Sequence, residues 1–246
     1  MSNEKIDHYL KTLSLHHIRE VYQKEAEKAA KTKLSYQEYL LRLLENQVLV
    51  KMERSINRKI QVAGFNDLKR LEEFDFSYQP QINEKLIREL ANLDFLSQAK
   101  NILFIGPPGV GKTHLAIALG LKACQAQKRV LFYSAEGLTE ELAAAEISGT
   151  LNKKLDTLIL IDLLIIDELG YLTLNKETAK LFFQLISRRY EKGSVIITSN
   201  KTFEEWGEIF TDDVVASAIL DRLLHHSYPF FINGRSFRLK NVIKDN

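Results

Sequence analysis

The residues from 106 to 113 have the types and the spacing of a phosphate-binding loop. They read Gly106-Pro107-Pro108-Gly109-Val110-Gly111-Lys112-Thr113 and fit the pattern G-x-x-x-x-G-K-[ST]. Because glycine lacks a Cβ atom, such a loop can wrap closely around a phosphate with its backbone N–H groups pointing inward. Lys112 would bring a positive charge to the β- and γ-phosphates, and Thr113 a hydroxyl group to Mg²⁺. The stretch therefore predicts a site for a nucleoside triphosphate.

The segments on either side of this loop supply the elements that such a motif needs. Residues 101–105 are apolar and read as a buried strand, and residues 114–127 are rich in Ala and Leu and read as a helix. A helix that starts at the end of the loop would direct the positive end of its dipole at a bound phosphate.

Further apolar runs alternate with helical patterns along the second half of the chain. The predicted strands are 130–133, 158–167 and 195–199, and the predicted helices are 138–142, 147–155 and 177–192. The run at 158–167 is almost entirely Leu and Ile, as in a strand that is buried on both faces. Alternating strands and helices predict an α/β fold, with a parallel sheet flanked by helices in right-handed βαβ units.

Polar side chains follow two of these predicted strands. Asp167 and Glu168 end the Leu/Ile run, and Asn200 ends the last of these strands. Because sites in parallel sheets lie at the carboxyl ends of the strands, we expect these groups to converge on the γ-phosphate. Asp167 would hold Mg²⁺, mostly through water, and Glu168 would polarise the attacking water. Asn200 would position that water or contact the γ-phosphate.

The first 70 residues follow a different pattern. Residues 1–33 look helical and polar, and Ser35 and Glu38 fit a capping box that should begin a long amphipathic helix. The helical pattern breaks near residue 70. We therefore expect a small, all-helical domain for DNA binding or oligomerisation at 1–70, followed by an ATPase-type domain at 71–246.

Positive charge is concentrated in one part of the chain. The net charge of the whole chain is only +2, but residues 28–70 contain ten basic and four acidic residues, a net charge of +6. Lys51, Arg54 and Arg58 fall on one face of the predicted helix, with Lys59 beside them. These residues could be a solvated helix face or could contact the phosphate backbone of DNA, and the sequence leaves both interpretations open.

Composition excludes several classes of protein. The single cysteine, Cys124, rules out a disulfide within the chain and is typical of a reducing compartment. No apolar run reaches the length of a transmembrane helix, and the N-terminus is too polar for a signal peptide. We expect a cytoplasmic protein without a membrane partner. Adjacent histidines on a helix point in different directions, so His16-His17 and His225-His226 are not expected to share a zinc ion.

Together these motifs resemble those of the AAA+ ATPases. GPPGVGKT matches the Walker A motif, LLIIDE matches Walker B, and an Asn follows SVIITS. The strings GKTHLA, DELGYL, RRYEKGSVIITSN, EEW and AILDRLLHH resemble more narrowly the IstB-like transposition helper ATPases of insertion sequences. The helicase loader DnaC is a near relative of that family, and the initiator DnaA is more distant. The resemblance covers residues 35–240.

The resemblance implies a protein that binds and hydrolyses ATP with Mg²⁺ and assembles into oligomers on duplex DNA. It further implies a cognate transposase partner, which the protein would assist in target selection and strand transfer. The basic helix suits the DNA contact. Lys153 and Lys154 are a second candidate pair, unless they are simply solvated. The alternative is a DnaC-like helicase loader, which would not need to bind duplex DNA alone. Asn200-Lys201-Thr202-Phe203 lacks the Asp of a guanine-binding motif, which argues against a GTPase.

The family pattern also implies that a neighbouring subunit completes the ATP site in a homo-oligomer. The arginine at the matching position is Arg222, whose guanidinium would stabilise charge on the transferred phosphoryl group. It could instead be a surface arginine linked to Asp221, and Arg188 and Arg189 compete for the interface role. His114, inside GKTHLA, is counted with the nucleotide-contacting residues, although we expect its ring to pack.

The end of the chain departs from the general AAA+ pattern. Too few residues follow Asn233 to form the C-terminal helical lid that usually carries a nucleotide-sensing arginine. Asn233-Gly234 lies between two apolar runs and predicts a β-hairpin. Arg235 or Arg238 on that hairpin could replace the arginine of the lid.

Overall fold

The computed structural model describes residues 2–171 and 173–237. The chain divides into two units, Met1–Arg58 and Lys59–Asn246. The described residues of the first unit form helices joined by short loops. The helices are α1 (Ser2–Thr12), α2 (His16–Thr32) and α3 (Tyr36–Ala63), the last of which continues past residue 58. The domain boundary expected near residue 70 stays a prediction.

Three side chains fix the starts of α2 and α3. The capping box is confirmed, because the N–H of Ser35 donates to Glu38 and the N–H of Glu38 donates to Ser35 Oγ. The amide oxygen of Gln47, which is buried, accepts the N–H groups of His17 and Ile18 at 3.0 and 3.2 Å. These donors lie in the first turn of α2, where no backbone carbonyl is available to them. Gln47 therefore caps α2 from α3.

The second unit is built on a five-stranded sheet in the order β2-β3-β4-β1-β5, and every neighbouring pair is parallel. The strands are β1 (Asn101–Ile105), β2 (Val130–Ser134), β3 (Leu163–Leu169), β4 (Ser194–Ser199) and β5 (Ser227–Phe231). The α-helices are α4 (Glu84–Leu90), α5 (Asp94–Ser97), α6 (Lys112–Gln125), α7 (Ala135–Ile147), α8 (Leu151–Ile159), α9 (Lys176–Arg189), α10 (Trp206–Phe210) and α11 (Asp213–Leu224). The predicted α/β class with a parallel sheet is confirmed.

Helices cover both faces of this sheet. Along β1, Leu103 and Ile105 point to a cluster formed with α7 to α11, whereas Ile102 and Phe104 point to a cluster formed mainly with α4 to α6. Successive side chains of a strand alternate between the two faces, so a sheet covered on both sides needs apolar residues at every position. This explains the unbroken apolar runs of β1, β3 and β4.

One strand begins later than the sequence predicts. The Leu/Ile run is expected to be extended from Leu158, but α8 continues to Ile159 and β3 begins at Leu163. Leu151, Leu155 and Leu158 are buried at helical spacing on one face of α8. A continuous apolar run carries no period of its own, so sequence alone could not locate the change from helix to strand.

The hairpin expected around Asn233-Gly234 is not formed by the described residues. The preceding run is β5, which pairs in parallel with β1, and residues 232–237 form no strand. Instead, the N–H of Ile232 donates to the Ile105 carbonyl and the N–H of Phe237 donates to the Gly109 carbonyl, both at 2.8 Å. Residues 232–237 therefore run alongside the phosphate loop in space. It contains no helical lid, and Arg238 lies outside the described residues.

No helix in the described part of the chain is both long enough and apolar enough to cross a bilayer.

Arg189 is a structural residue at the end of α9. Its side chain is 1% exposed and donates hydrogen bonds to the carbonyl groups of Leu158, Ile161 and Ser194. Burial lowers the pKa of its guanidinium to about 10. Because the group is enclosed and engaged, Arg189 cannot be the arginine that reaches a neighbouring subunit, and that candidate is wrong.

We predict that Arg189→Met, which keeps most of the side-chain volume, lowers the free energy of unfolding by about 3 kcal/mol, because it leaves buried carbonyl groups without donors. Urea unfolding followed by circular dichroism measures this. The matched control is Arg188→Met, since Arg188 is partly exposed and bonds to Asn152 and Asp156; its effect should stay within about 0.5 kcal/mol. Equal effects of the two variants would contradict the structural role.

Candidate nucleotide-binding site

The phosphate loop connects β1 to α6 in a shape that its glycines allow. Gly109 and Gly111 have φ angles of 81° and 99°, which lie in the left-handed region. Gly106 lies so close to the chain that a Cβ atom there would be 2.1 Å from the carbonyl oxygen of Ile232. Gly111 is the residue before the first turn of α6, so the free N–H groups of that helix end face the loop.

Lys112 lies inside the loop. Its Nζ donates to the carbonyl oxygens of Gly106 at 2.6 Å and Pro107 at 2.8 Å, and the side chain is 7% exposed. These bonds hold a full positive charge beside the N-terminal end of α6. The two together can bind the oxygens of a phosphate chain.

Asp167 is the point where three elements meet. Its Oδ1 accepts a hydrogen bond from Thr113 Oγ1 at 2.9 Å and another from Thr198 Oγ1 at 2.5 Å. Thr113 belongs to α6, Asp167 to β3 and Thr198 to β4. Burial raises the pKa of the Asp167 carboxyl above its ordinary value, and the two donated hydrogen bonds oppose that rise. The hydroxyl of Thr113 and the carboxylate are oxygen ligands of the kind that Mg²⁺ takes.

Glu168 lies in a bulge of the sheet. Ile166 pairs with Ile197 and Leu169 pairs with Ser199, so two residues of β3 lie opposite Thr198 alone. Glu168 has a φ angle of 63°, and its N–H donates to Thr198 Oγ1 at 2.9 Å. Bulges beside active sites redirect a side chain out of the regular pleat. Glu168 is exposed, and it lines the cavity next to the phosphate loop.

Asn200 follows β4 and lines the same cavity. Its Oδ1 atom is buried and accepts no hydrogen bond from any described residue. Buried polar atoms are nearly always paired, so the unpaired amide oxygen of this cavity-lining residue is a candidate acceptor for a bound molecule. The sequence predicts that the phosphate loop, Glu168 and Asn200 converge, and the structure brings them together.

The cavity has a volume of about 520 Å³ and also has an aromatic side that sequence reasoning missed. Phe74 and Phe237 are among its lining residues. The ring of Phe74 packs edge-on against His114, and His114 Nε2 lies 2.7 Å from the carbonyl oxygen of Arg70. His114 therefore packs, as expected, while also lining the cavity. In the sequence, the acidic and aromatic stretch around Phe74 is the feature that could have indicated this side of the cavity, but its pattern predicts only a break between domains.

A family match covers almost the whole chain. The family described as IstB-like ATP binding protein matches residues 8–245. The chain belongs to this family.

Two relatives illustrate how similar the members are. The chain is 46% identical over 235 residues to the protein named as the putative ATP-binding protein of insertion sequence IS21 in Pseudomonas aeruginosa, covering 96% of this chain and 89% of that protein. It is 45% identical over 237 residues to the corresponding protein of insertion sequence IS5376 in Geobacillus stearothermophilus, covering 96% and 94%.

Solved structures of replication proteins share the fold of much of this chain. AMPPCP-bound DnaA from Aquifex aeolicus matches with a TM-score of 0.59 at 23% identity, over 74% of this chain and 56% of the DnaA chain. A DnaC helicase loader matches with a TM-score of 0.52 at 24% identity, over 61% of this chain and 87% of the loader. Identities this low show a shared fold and nothing about partners.

Arg222 does not line the cavity of its own chain. It lies on α11, its Nη1 donates to the Ala218 carbonyl at 2.8 Å, and its guanidinium lies 4.8 Å from the centre of the Phe183 ring. The hydrogen bond thus goes to Ala218 and not to Asp221. Arg222 is half-buried, and its expected action on a neighbouring subunit stays a prediction.

The basic candidates differ in how much of their charge is available. Lys51, Arg54 and Arg58 are exposed on α3, and the described residues include no ion-pair partner for them, while Lys59 is half-buried. Lys153 is exposed on α8.

Its neighbour Lys154 is held within the fold. Lys154 Nζ lies 2.5 Å from Glu141 and 3.2 Å from the hydroxyl of Tyr133. Its charge is therefore largely compensated, which makes it the weaker member of the second pair for contacting DNA.

The second histidine pair is arranged differently from the expectation. Both histidines follow α11, with His225 as its C-cap residue, and their rings do not diverge: the ring centroids are 4.1 Å apart. Their nitrogens lie 4.0 and 3.4 Å from Glu191 Oε1. All three side chains are exposed, and Nδ1 of His225 is already hydrogen-bonded to the hydroxyl of Tyr190. The expectation that the rings of this pair point in different directions is therefore wrong, but three exposed side chains alone do not define a metal site.

We predict that Lys112→Ala weakens binding of AMPPCP with Mg²⁺ by roughly 10- to 100-fold, the usual effect of removing a charge-assisted hydrogen bond. Isothermal titration calorimetry measures the dissociation constant. Lys122→Ala on the same helix removes an equal charge, but Lys122 pairs with Glu72 and does not line this cavity. This control should bind within about twofold of the unmodified protein. An unchanged affinity of Lys112→Ala would remove the loop lysine from the site.

Proposed function

We propose that this protein binds ATP with Mg²⁺, hydrolyses it, and uses the cycle to control its assembly on duplex DNA in support of a transposase. The observation that carries the proposal is the convergence of Thr113, Asp167, Glu168 and Asn200 on one phosphate loop in a member of the IstB-like family.

Binding is the task of the loop and the start of α6. The N–H groups of residues 109–113 and the ammonium group of Lys112 would hold the phosphates. Thr113 and Asp167 would hold Mg²⁺, which neutralises charge on the β- and γ-phosphates when it is bound. Asp167 is already oriented by two hydroxyl groups, so little rearrangement of its carboxylate is needed.

Activation of water is the task of Glu168 and Asn200. The exposed carboxylate of Glu168 would orient a water molecule and accept its proton as the oxygen attacks the γ-phosphorus. The Oδ1 atom of Asn200, which has no partner among the described residues, would accept the second hydrogen of that water. Arg222 of a neighbouring subunit would stabilise the charge that develops on the transferred group.

The family and the exposed positive charge of α3 support two kinds of partner, a transposase and duplex DNA. The relatives reported above are named as putative ATP-binding proteins of insertion sequences, which supports a transposase as the partner of this protein. We infer that ATP-dependent assembly on DNA assists this transposase in target selection and strand transfer. Lys51, Arg54 and Arg58 are the first candidates for the DNA contact, because their charges are exposed on one helix face.

The test is phosphate release measured with and without long duplex DNA, with particle size followed in parallel. We expect turnover in the unmodified protein and a decrease of at least about 100-fold in Glu168→Gln, because a general base typically contributes that much. Glu168→Gln should still bind ATP and should stay in the assembled form. Glu146→Gln, an exposed carboxylate near the end of α7, is the control and should turn over normally. Full turnover by Glu168→Gln would exclude Glu168 as the base, and no turnover by the unmodified protein under either condition would refute the ATPase.

We predict that replacing Lys51, Arg54 and Arg58 together by Gln weakens duplex binding and reduces the slope of log K against log salt by up to about three units, roughly 0.9 for each phosphate that is no longer neutralised. Fluorescence anisotropy of a labelled duplex over a range of salt concentrations measures the slope. Replacing Lys5, Lys11 and Lys24 removes the same charge from the other helices of the first unit and should leave the slope unchanged.

Two outcomes would count against this assignment. An unchanged slope in the variant of Lys51, Arg54 and Arg58 would mean that these residues form a solvated helix face and do not contact DNA. Failure of the unmodified protein to bind duplex DNA at low salt would contradict assembly on DNA and favour the helicase-loader alternative.

A further inference from the structure

Thr198 lies on β4, opposite the two candidate carboxylate residues Asp167 and Glu168. Its side chain is 1% exposed, and its hydroxyl makes two hydrogen bonds. It donates to Asp167 Oδ1 at 2.5 Å and accepts the N–H of Glu168 at 2.9 Å. One oxygen atom thus contacts the side chain of one carboxylate residue and the backbone of the next.

The bulge explains why a side chain is needed at this point. Asp167 and Glu168 together lie opposite Thr198, so Glu168 is displaced from the regular ladder between β3 and β4. Its φ angle of 63° is unfavourable for a residue with a Cβ atom and persists only if its surroundings hold it. The bond from the Glu168 N–H to Thr198 supplies that restraint. Without it, the backbone could relax and turn the carboxylate away from the cavity.

We propose that Thr198 is a positioning residue, whose single hydroxyl group sets the direction of both the Asp167 carboxylate and the Glu168 side chain. The inference rests on the proposed function, because hydrolysis of ATP is the step that needs both groups at once. Thr113 also donates to Asp167, but it belongs to the loop helix, and its hydroxyl group does not bond to the backbone of Glu168. Thr198 is therefore the group that couples the two carboxylates to β4.

The residue type suits this role. A β-branched side chain has a restricted χ1 angle, so the hydroxyl direction is fixed by the strand itself. The hydroxyl can donate one hydrogen bond while accepting another, as the geometry requires. Valine has nearly the same shape but can do neither, and serine keeps both bonds with more rotational freedom. These two substitutions therefore separate the hydroxyl group from the packing of the methyl group.

The experiment measures steady-state turnover and the dissociation constant of AMPPCP with Mg²⁺ for Thr198→Val, Thr198→Ser and the unmodified protein. We expect Thr198→Val to lower kcat by roughly 10- to 100-fold, because Glu168 would no longer be held where it acts on water. The dissociation constant should change by less than about threefold, because Thr113 still donates to Asp167 and the Thr198 hydroxyl does not itself hold phosphate. Thr198→Ser should keep at least about a third of the turnover.

A matched control shows the effect of removing a buried threonine hydroxyl elsewhere. Thr139 is also buried, and its hydroxyl donates to the Glu136 carbonyl within α7. Thr139→Val should lower thermal stability by a comparable amount and leave kcat unchanged. Any decrease of turnover in Thr198→Val that merely reflected instability would appear in this control as well.

Each result decides the inference. Normal kcat in Thr198→Val, or equal decreases in the valine and serine variants, would overturn the positioning role while leaving the proposed ATPase intact. Absence of turnover in the unmodified protein would refute the proposed function itself. If Thr198→Val does not fold, Thr198→Ser decides alone: near-normal turnover supports the role of the hydroxyl, and a decrease of more than about tenfold contradicts it.

Discussion

The candidate site depends on a buried carboxylate that is held by hydroxyl groups from two other elements. A carboxylate is expensive to bury unless it is hydrogen-bonded, and Asp167 is compensated by Thr113 and Thr198. These two bonds tie the helix after the phosphate loop to the two strands beside it. The position of the carboxylate relative to the loop is therefore set by contacts with β4 and with the helix that follows the loop, as expected of a preorganised site.

Strand order makes these contacts possible. β4 lies between β3 and β1, so the ends of three neighbouring strands carry the carboxylates, Asn200 and the phosphate loop. The same edge is closed by residues 232–237, which follow β5 and bond to the loop through the N–H of Phe237. The close approach of Gly106 to Ile232 belongs to this packing, because a side chain at Gly106 would collide with that backbone. The loop glycines thus serve the fold as well as the phosphate.

Much of this arrangement could be predicted from sequence, because local patterns carry it. The motif from Gly106 to Thr113 has a fixed spacing, and the capping box of Ser35 and Glu38 closes on itself within one turn. Polar residues directly after long apolar runs indicated Asp167, Glu168 and Asn200, since strand ends in a parallel sheet share an edge. The matching strings then identified the family over most of the chain. Each of these inferences rests on the types and spacing of residues that are close together in the chain.

Local patterns in the sequence are enough to establish the phosphate loop, the polar residues at the strand ends, the α/β class and the family. Three features emerge only on folding: β5 pairs with β1 in place of a hairpin, Arg189 is enclosed by three carbonyl groups, and Thr198 faces the bulge at Glu168. Most of these contacts join residues between about thirty positions and more than a hundred positions apart in the chain. Periodicity and residue type report only on neighbours along the chain, whereas burial and hydrogen-bond partners are set by which elements pack together.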